Sequence, residues 1–359
     1  MSPARHRLPK RRVFLRAGLA AVLLSFIAVG TIAVRAGLWA LLPFRDYGAA
    51  SAIVDIPAGT SLKRAVQILE DHGILRRFPW SVVTLRALGR GEALKVGEYE
   101  FSRPMTPLEV LDKIQRADVY VHKVTVLEGL RSDEIFALYE RAGFGTAAEY
   151  SAAFRDTSLL RGLDDDAIDL EGYLFPDTYG LQKGTTAQAI VQRMVARFKE
   201  VLGPEWIAAV RARGLTVRQA VSMASLIEKE TALDEEDPLV ASVFHNRLKK
   251  GMRLQCDPTV IFALAMRNTW DGNIRREDLK IDSLYNTYRY YGLTPGPIGN
   301  PGAAALKAAA QPADTEYLYF VSMNNGRHAF SRTLDEHNQA VWEYQKKPFL
   351  KRPADRGTS

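Results

Sequence analysis

The most pronounced hydrophobic pattern is an uncharged run near the N-terminus, AGLAAVLLSFIAVGTIAV, at residues 17–34. As a helix that rises about 1.5 Å per residue, this run spans about 27 Å of a hydrocarbon core that is about 30 Å thick. It predicts a single transmembrane anchor over residues 17–42, with Trp39 at the far membrane interface. A cleaved signal peptide is the alternative, but its apolar core is usually about 7–15 residues long and ends in small residues, whereas Arg35 follows here.

After the anchor, apolar residues alternate in short strand-like segments, each followed by a glycine turn and an amphipathic stretch. VDIPAGTSLKRAVQILEDHGI from Val54 aligns with VTVLEGLRSDEIFALYERAGF from Val124, and KVGEYEFSRPMTPLEVLDKI lies between them. Thr106 is expected to cap the helix that Pro107 begins. These units predict a small α+β module. A spacer and a module that binds glycan or a partner protein fit this pattern equally well.

From about residue 150 the apolar residues follow the helical period. Helices are expected over residues 185–202, over a segment capped by Thr216, and from Pro238 to Lys250, with a stop at Gly251. The chain is therefore predicted to be an α+β protein, with a mainly helical second domain that has short strands. Residues 345–359 are expected to form a basic flexible tail.

The distribution of charged residues predicts the orientation of the anchor in the membrane. Residues 1–16 contain six basic side chains and no acidic one: Arg5, Arg7, Lys10, Arg11, Arg12 and Arg16. The formal net charge is +7, but the remaining residues have 42 basic against 41 acidic side chains, so the body of the protein is nearly neutral. A nucleic-acid partner is therefore not expected. The basic flank predicts that residues 1–16 form a cytoplasmic tail and that the domains lie outside the cytoplasm.

The sequence lacks a pair of cysteines and a metal-binding histidine motif, which limits the chemistry that we expect. Cys256 is the only cysteine, so no disulfide can form within the chain. The six histidines show neither an HExxH motif nor any paired spacing. We therefore expect no metal site and no cofactor.

The segment VSMASLIEKETALDEEDP (221–238) places two glutamates after a run of small and apolar residues. At 100° per residue, Glu230 falls in the apolar stripe with Met223 and Ile227, and Glu228 lies about 160° from Glu230, near the far edge of that stripe. Ser222 and Ser225 form the opposite face. Loss of hydration in that stripe would raise the pKa of Glu230, as a general acid requires. The alternative is a glutamate at a frayed helix end that is solvated or paired with a cation.

Arg247 lies between apolar residues on the next predicted helix, so we expect a buried guanidinium that needs a carboxylate partner. Glu228 is the internal candidate, and an acidic group on a ligand is the alternative. Asp257 precedes Pro258 and is predicted to be a helix N-cap, which leaves a role as a second catalytic carboxylate as the less favoured reading.

The segment YNTYRYYGLTPGPIGNPG (285–302) concentrates tyrosines, amides, glycines and prolines. It is either a rigid loop that covers the core or a surface where aromatic faces and amides bind sugar rings. Taken in order, EGYLFPDTY, ASLIEKET, VFHNRL, GMRLQCDPT, YNTY and GLTPGPIGNPG resemble the endolytic murein transglycosylases of the YceG-like (MltG) type. The resemblance extends from the anchor to about residue 344. Departures are Leu284 before YNTY, Thr294 where proline is common, and Cys256 where a small hydroxyl residue is usual.

The resemblance implies a LysM-like module over residues 51–120 and a transglycosylase catalytic domain over 121–344. It implies cleavage of peptidoglycan glycan strands at the outer face of the cytoplasmic membrane, with peptidoglycan synthases (penicillin-binding proteins) as partners. Glu230, the glutamate followed by Thr in EKET, matches the catalytic residue, while Asn246 and Arg247 support the site. The substrate-binding candidates are Glu228, Gln255, Asp257, Tyr285, Asn286, Thr287, Tyr288 and Asn300.

The implied reaction is a lytic cleavage between N-acetylmuramic acid and N-acetylglucosamine that leaves 1,6-anhydro ends. One residue, Glu230, would serve as both acid and base, so no second carboxylate is needed. Two other readings remain. One is a lysozyme-like hydrolase in which Asp257 is the second carboxylate, as hydrolases require. The other is a membrane-tethered scaffold that binds glycan without cleaving it.

Overall fold

The computed structural model describes residues 10–90 and 94–350, with side chains from 14 to 348 in those ranges. The chain divides into two compact units, Met1–His122 and Lys123–Ser359. Each unit has a hydrophobic core of its own.

The N-terminal unit begins with a long helix, α1 (Lys10–Leu41). Its segment Phe14–Leu41 contains an 18-residue window with a mean hydropathy of 2.4, none of which is buried, so the segment is long and apolar enough to cross a membrane. Trp39, which the sequence predicts at the membrane interface, packs against other residues of this unit. Its indole nitrogen donates to the carbonyl of Arg76 at 2.7 Å and its ring stacks on Phe78 at 5.5 Å, so Trp39 belongs to the core of this unit.

The rest of the N-terminal unit is a small α+β arrangement. Its elements are β1 (Ala52–Ile56), α2 (Leu62–Asp71), α3 (Ser81–Ala87), β2 (Gly97–Phe101) and α4 (Pro107–Gln115). β1 pairs antiparallel with β2, with Val54 opposite Tyr99, and the helices cover the buried face of this pair. Thr106 caps α4 through a capping box with Glu109, which confirms the predicted helix start. The LysM-like assignment of this β-α-α-β segment stays a prediction.

The second unit is mainly helical with short strands. Its elements are β3 (His122–Thr125), α5 (Ser132–Arg141), α6 (Ala147–Phe154), β4 (Thr178–Leu181), α7 (Ala187–Ala212), α8 (Val217–Glu230), α9 (Asp237–Lys249), α10 (Asp257–Met266), α11 (Ala303–Ala310), β5 (Tyr319–Ser322), β6 (His328–Ser331), α12 (Leu334–Val341) and α13 (Lys347–Leu350). β3 pairs with β4, and β5 forms an antiparallel hairpin with β6. The two segments that align in the sequence at Val54 and Val124 therefore contribute their strands to different sheets.

Helix α8 is the central element of the second unit and packs against α7, α9, α10 and α11. Thr216 caps it through a capping box with Gln219, as the sequence predicts. Every residue from Ala220 to Ile227 is buried, including Ser222 and Ser225 on the face opposite the apolar stripe. Ser225 donates to the carbonyl of Ser222 at 2.7 Å and accepts from the amide of Ile298 at 3.0 Å. The serines therefore face neighbouring segments instead of solvent.

Two element boundaries depart from the sequence analysis. α7 continues past the predicted end at residue 202 because a second helical segment, beginning at Pro204, follows a kink at Gly203. The chain also stays helical through Trp342–Lys346 and α13, where the sequence predicts the start of a flexible tail; its flexibility stays a prediction. Residues 351–359 of the predicted tail, and most of the predicted cytoplasmic tail at 1–9, lie outside the described residues.

Candidate active site

Glu230 is the last residue of α8, and the chain turns into extended conformation at Thr231 directly after it. The half-buried Glu230 side chain has a pKa raised to about 7, mainly because burial removes hydration from the charged form. Asp257 raises this pKa further. Hydrogen bonding by the thiol of Cys256 and the positive charges of His328 and Arg247 act in the opposite direction. A carboxyl group with a pKa near neutrality can both donate and accept a proton.

Glu228 lies two residues earlier and has different surroundings. Its Oε2 accepts a hydrogen bond from the amide of Gly302 at 2.9 Å, so it holds the loop before α11. Burial also raises the pKa of Glu228 to about 7, and the charges of Glu128 and Asp234 add to that effect. Desolvation therefore does not distinguish the two glutamates, contrary to the expectation from the helical wheel. Their neighbours do: a thiol and cations at Glu230, a backbone amide and other acids at Glu228.

Arg247 is buried, as predicted, but its expected carboxylate partner Glu228 is not found. Its guanidinium donates to the carbonyls of Leu318 at 2.6 Å, Leu254 at 2.8 Å and Arg253 at 3.3 Å. No ion pair to Arg247 occurs within the described part of the chain; three carbonyl dipoles take the place of a carboxylate because the strand and the loop present them at the same point. Arg247 thereby joins β5 to the segment that leads to Cys256.

Asn246 supports the same region from the adjacent position on α9. Its side-chain amide donates to the carbonyls of Thr315 at 2.8 Å and Tyr317 at 3.0 Å. Asn246 and Arg247 together hold the chain that enters β5.

Asp257 is not the N-cap of α10. Cys256 occupies the cap position and Asp257 is the first helical residue, followed by Pro258 in the first turn. The exposed Asp257 carboxylate instead accepts a hydrogen bond of 2.5 Å from the hydroxyl of Tyr288. The Asp-Pro pair correctly marks the helix start, but the side chain is available to a tertiary partner.

The residues around Tyr288 are more buried than substrate-contacting residues would be. Asn286 donates to the carbonyls of Leu279 and Ile281 and accepts from the amide of Tyr288. Thr287 accepts from the amide of Cys256 at 3.0 Å, and its carbonyl accepts from the amide of Gln255. Because the polar atoms of Asn286 and Thr287 are already paired inside the protein, both residues position Tyr288 and Cys256.

Gln255 is exposed and has a φ of +52°, an uncommon conformation for a residue other than glycine. It lies directly before Cys256, whose thiol hydrogen-bonds Glu230, and its own side chain is exposed to solvent. Tyr285 is half-buried and packs on Phe262, with ring centroids 4.8 Å apart. These two residues, with Asp257, Tyr288 and the half-buried Glu228, are the predicted binding residues that remain accessible.

Asn300 is fully buried and acts on another buried residue, Glu171. Its amide donates to Glu171 at 3.0 Å and to the carbonyl of Leu130 at 2.9 Å, and its oxygen accepts from the amide of Leu174 at 2.9 Å. Burial raises the pKa of Glu171 to about 8. Glu171 is the first residue of the motif EGYLFPDTY, but it was not among the site residues predicted from the sequence.

His328 and Glu236 form a second buried pair that the sequence does not predict. Nδ1 of His328 lies 2.7 Å from Oε2 of Glu236, and the amide of His328 donates to Oε1 of Glu236 at 3.1 Å. Both side chains are largely buried, and the charge of His328 acts on Glu230. No local pattern could have revealed this pair, because 92 positions separate the two residues.

Within the described residues, no group of three or more His, Cys, Asp or Glu side chains is arranged to hold a metal ion. The expectation that the site works without a metal stays a prediction. The candidate site consists of a glutamate at the end of a buried helix, with a thiol and two basic side chains around it.

The fold and this site define a protein whose helical unit carries a desolvated glutamate with a pKa near 7 at the end of a buried helix. The chain belongs to the YceG-like family, whose model matches residues 54–343. It is 32% identical over 310 residues to an endolytic murein transglycosylase of Bacillus subtilis, a match that covers 81% of this chain and 84% of that protein.

Two further comparisons agree. An endolytic murein transglycosylase of Streptococcus pneumoniae is 28% identical over 334 residues, which is 85% of this chain and 60% of that longer protein. A crystal structure of a YceG-like protein from Listeria monocytogenes matches with a TM-score of 0.56 and 31% identity, covering 81% of this chain and 98% of the other.

Proposed function

We propose that this chain is an endolytic lytic transglycosylase of peptidoglycan that cleaves the β-1,4 bond between N-acetylmuramic acid and N-acetylglucosamine inside nascent strands. The observation that carries the proposal is the pKa of about 7 at Glu230, a half-buried carboxyl group at the end of α8. The names of the relatives from Bacillus subtilis and Streptococcus pneumoniae support the substrate and the reaction.

In the proposed mechanism, protonated Glu230 donates its proton to the glycosidic oxygen as the bond from C1 of the muramic residue breaks. The resulting carboxylate takes the proton from the C6 hydroxyl of the same residue, and O6 attacks C1 to close a 1,6-anhydro ring. Glu230 ends the cycle protonated, and no water is consumed. The nearby positive charge of Arg247 stabilises the carboxylate that exists between the two steps.

The accessible residues Gln255, Asp257, Tyr285 and Tyr288 are proposed to contact the glycan. The buried residues Asn286, Thr287 and Asn300 position the site, and Glu228 holds the loop at Gly302. The burial and internal hydrogen bonds of Asn286, Thr287 and Asn300, and the bond from the amide of Gly302 to Glu228, support this division of roles.

The proposed location is the cytoplasmic membrane, where α1 anchors the chain and the LysM-like module (51–120) and catalytic domain (121–344) lie on the outer face. The length and composition of Phe14–Leu41 support an anchor, and the basic residues before it support a cytoplasmic N-terminus. Peptidoglycan synthases are the proposed partners. N-terminal sequencing of the membrane-extracted protein should find the intact start, whereas a mature N-terminus near residue 30 would show a cleaved signal.

The decisive experiment is mass spectrometry of peptidoglycan strands digested by the chain and its Glu230→Gln variant. Glutamine keeps size and hydrogen bonding but cannot deliver a proton, so anhydro products should fall by about 10²-fold or more. Glu228→Gln on the same helix and Glu205→Gln on the surface are the matched controls. Loss of products in Glu228→Gln with full activity in Glu230→Gln would refute the assignment.

A hydrolase is the second candidate, because the carboxylate of Asp257 is close enough to raise the pKa of Glu230. The same spectra separate the candidates. Anhydro ends identify the lytic reaction, reducing ends identify hydrolysis with Asp257 as the second carboxylate, and unchanged strands identify a scaffold that only binds glycan.

A further inference from the structure

A cavity of about 460 Å³ lies in the second unit at the C-terminal end of α10, whereas Glu230 lies near the N-terminal end of that helix. Residues from α5, α6 and the C-terminal half of α10 form its walls together with Tyr285. Its apolar lining is rich in large rings: Phe136, Phe154, Phe262 and Tyr285. Met266, 61% exposed, lies at its edge. The proposed glycosidic chemistry at Glu230 does not use this space.

The charged lining of the cavity is strongly unbalanced. Four carboxylates line it, Asp133, Glu140, Asp169 and Glu171, against one cation, Arg131. Arg131 pairs with Asp133 at 2.9 Å. The other three carboxylates form no ion pair within the ranges that the structure describes, and burial raises the pKa of Asp169 and of Glu171.

This combination favours a cationic ligand. An ammonium group offers three donors to carboxylate oxygens and is attracted to the faces of aromatic rings. An anion would be repelled, and a neutral sugar ring would supply no counter-charge to Glu140 and Asp169. The apolar rings suit the methylene chain that leads to such an ammonium group.

From this lining we infer that the cavity binds the protonated side-chain amine of a peptidoglycan stem peptide, as a remote subsite for the strand cleaved at Glu230. This inference rests on the proposed function. It adds a requirement on the peptide, whereas the chemistry at Glu230 concerns only the sugars.

Two elements connect the cavity with the acid. α10 begins at Asp257, beside Glu230, and reaches the cavity at Met266, about 14 Å further along its axis. In the segment YNTY, Tyr288 bonds to Asp257 beside Glu230, and Tyr285 lines the cavity. A strand with a muramic residue at Glu230 therefore has the cavity within reach of a stem peptide. Binding energy from such a remote group that is equal in the ground state and the transition state lowers KM and leaves kcat unchanged.

The test compares uncross-linked strands with free stem amines, strands whose amines have been acetylated, and strands stripped of peptide. Acetylation removes the charge and should raise KM about threefold to thirtyfold with kcat nearly unchanged. In the double variant Glu140→Gln/Asp169→Asn this difference should disappear. Both substitutions keep an oxygen for the amides of Ala147 and Glu171, so the fold should be retained. Glu205→Gln is the surface control.

Equal KM for free and acetylated strands would overturn the inference, and so would peptide-free strands that bind as well as amine-bearing ones, which would indicate a sugar site. Calorimetry with the Glu230→Gln variant keeps the test independent of catalysis. Amine-bearing strands should bind with release of protons, because a cation in the cavity lowers the raised pKa of Asp169 and Glu171. If no strand yields anhydro ends with the unmodified chain, the proposed function fails, while this binding measurement still decides the subsite.

Discussion

The hydroxyl of Tyr288 donates a hydrogen bond of 2.5 Å to the carboxylate of Asp257 at the start of α10. The bond ties the YNTY segment to the residue directly after Cys256, whose thiol acts on Glu230. Asp257 therefore has a partner within the protein and serves to orient a tyrosine beside the acid. This arrangement does not require a second catalytic carboxylate.

Asp257→Asn should retain at least about a tenth of the activity, because asparagine still offers an oxygen to the Tyr288 hydroxyl and removes only one charge. Tyr288→Phe removes the donor and should raise KM for glycan strands. The measurement is kcat and KM for release of anhydro products. A loss in Asp257→Asn as deep as that in Glu230→Gln, with an unchanged melting temperature, would favour the hydrolase.

The pH profile should report the protonation of Glu230. The protonated form is the acid, and its pKa is about 7, so kcat/KM should fall as pH rises through about 7. Cys256→Ala removes a hydrogen bond that stabilises the charged form, so the pKa should rise and the falling limb should move to higher pH. Cys256→Ser keeps a donor, and its limb should stay near that of the unchanged chain. An identical limb in Cys256→Ala would show that the thiol has no influence on the acid.

Arg247→Met should lower the free energy of unfolding by about 2–4 kcal/mol, because three carbonyls lose a charged donor. Activity should fall with it, since the segment before Cys256 loses its tie to β5. Lys249→Met, at an exposed position of the same helix, is the control and should change stability by less than about 0.5 kcal/mol. Normal melting of Arg247→Met with weaker strand binding would instead make Arg247 a ligand-binding residue.

Gly172 illustrates a glycine that both conformation and space require. Its φ is +87°, and a Cβ there would lie 2.4 Å from Cγ of Pro297. Gly172→Ala should destabilise the second unit by about 3 kcal/mol or more, from backbone strain together with overpacking. Gly184, with φ +81° and open space around it, is the matched control. Gly184→Ala should cost only the strain, about 1–2 kcal/mol. Equal losses in denaturant unfolding would exclude the contact with Pro297 as a cause.

Features set by neighbours in the chain were predictable. The capping boxes at Thr106 and Thr216 form as expected, because a cap bonds to an amide three residues away. The helical period also places Glu230 at the end of α8 with an apolar environment. Local patterns did not predict the contact that Asp257 makes. The helix starts where predicted, but the side chain of Asp257 bonds to Tyr288 instead of capping the helix.

The sequence by itself thus determined the apolar N-terminal helix, the α+β module, the central helix with its terminal glutamate, and the order of motifs that marks the family. Only the tertiary structure decided that Glu228 loses as much hydration as Glu230, that Arg247 binds carbonyls, and that Glu236 meets His328. The reason is physical. Caps and periods depend on residues three or four positions apart, whereas burial and the pairing of a buried polar group depend on segments far apart in the chain that folding brings together.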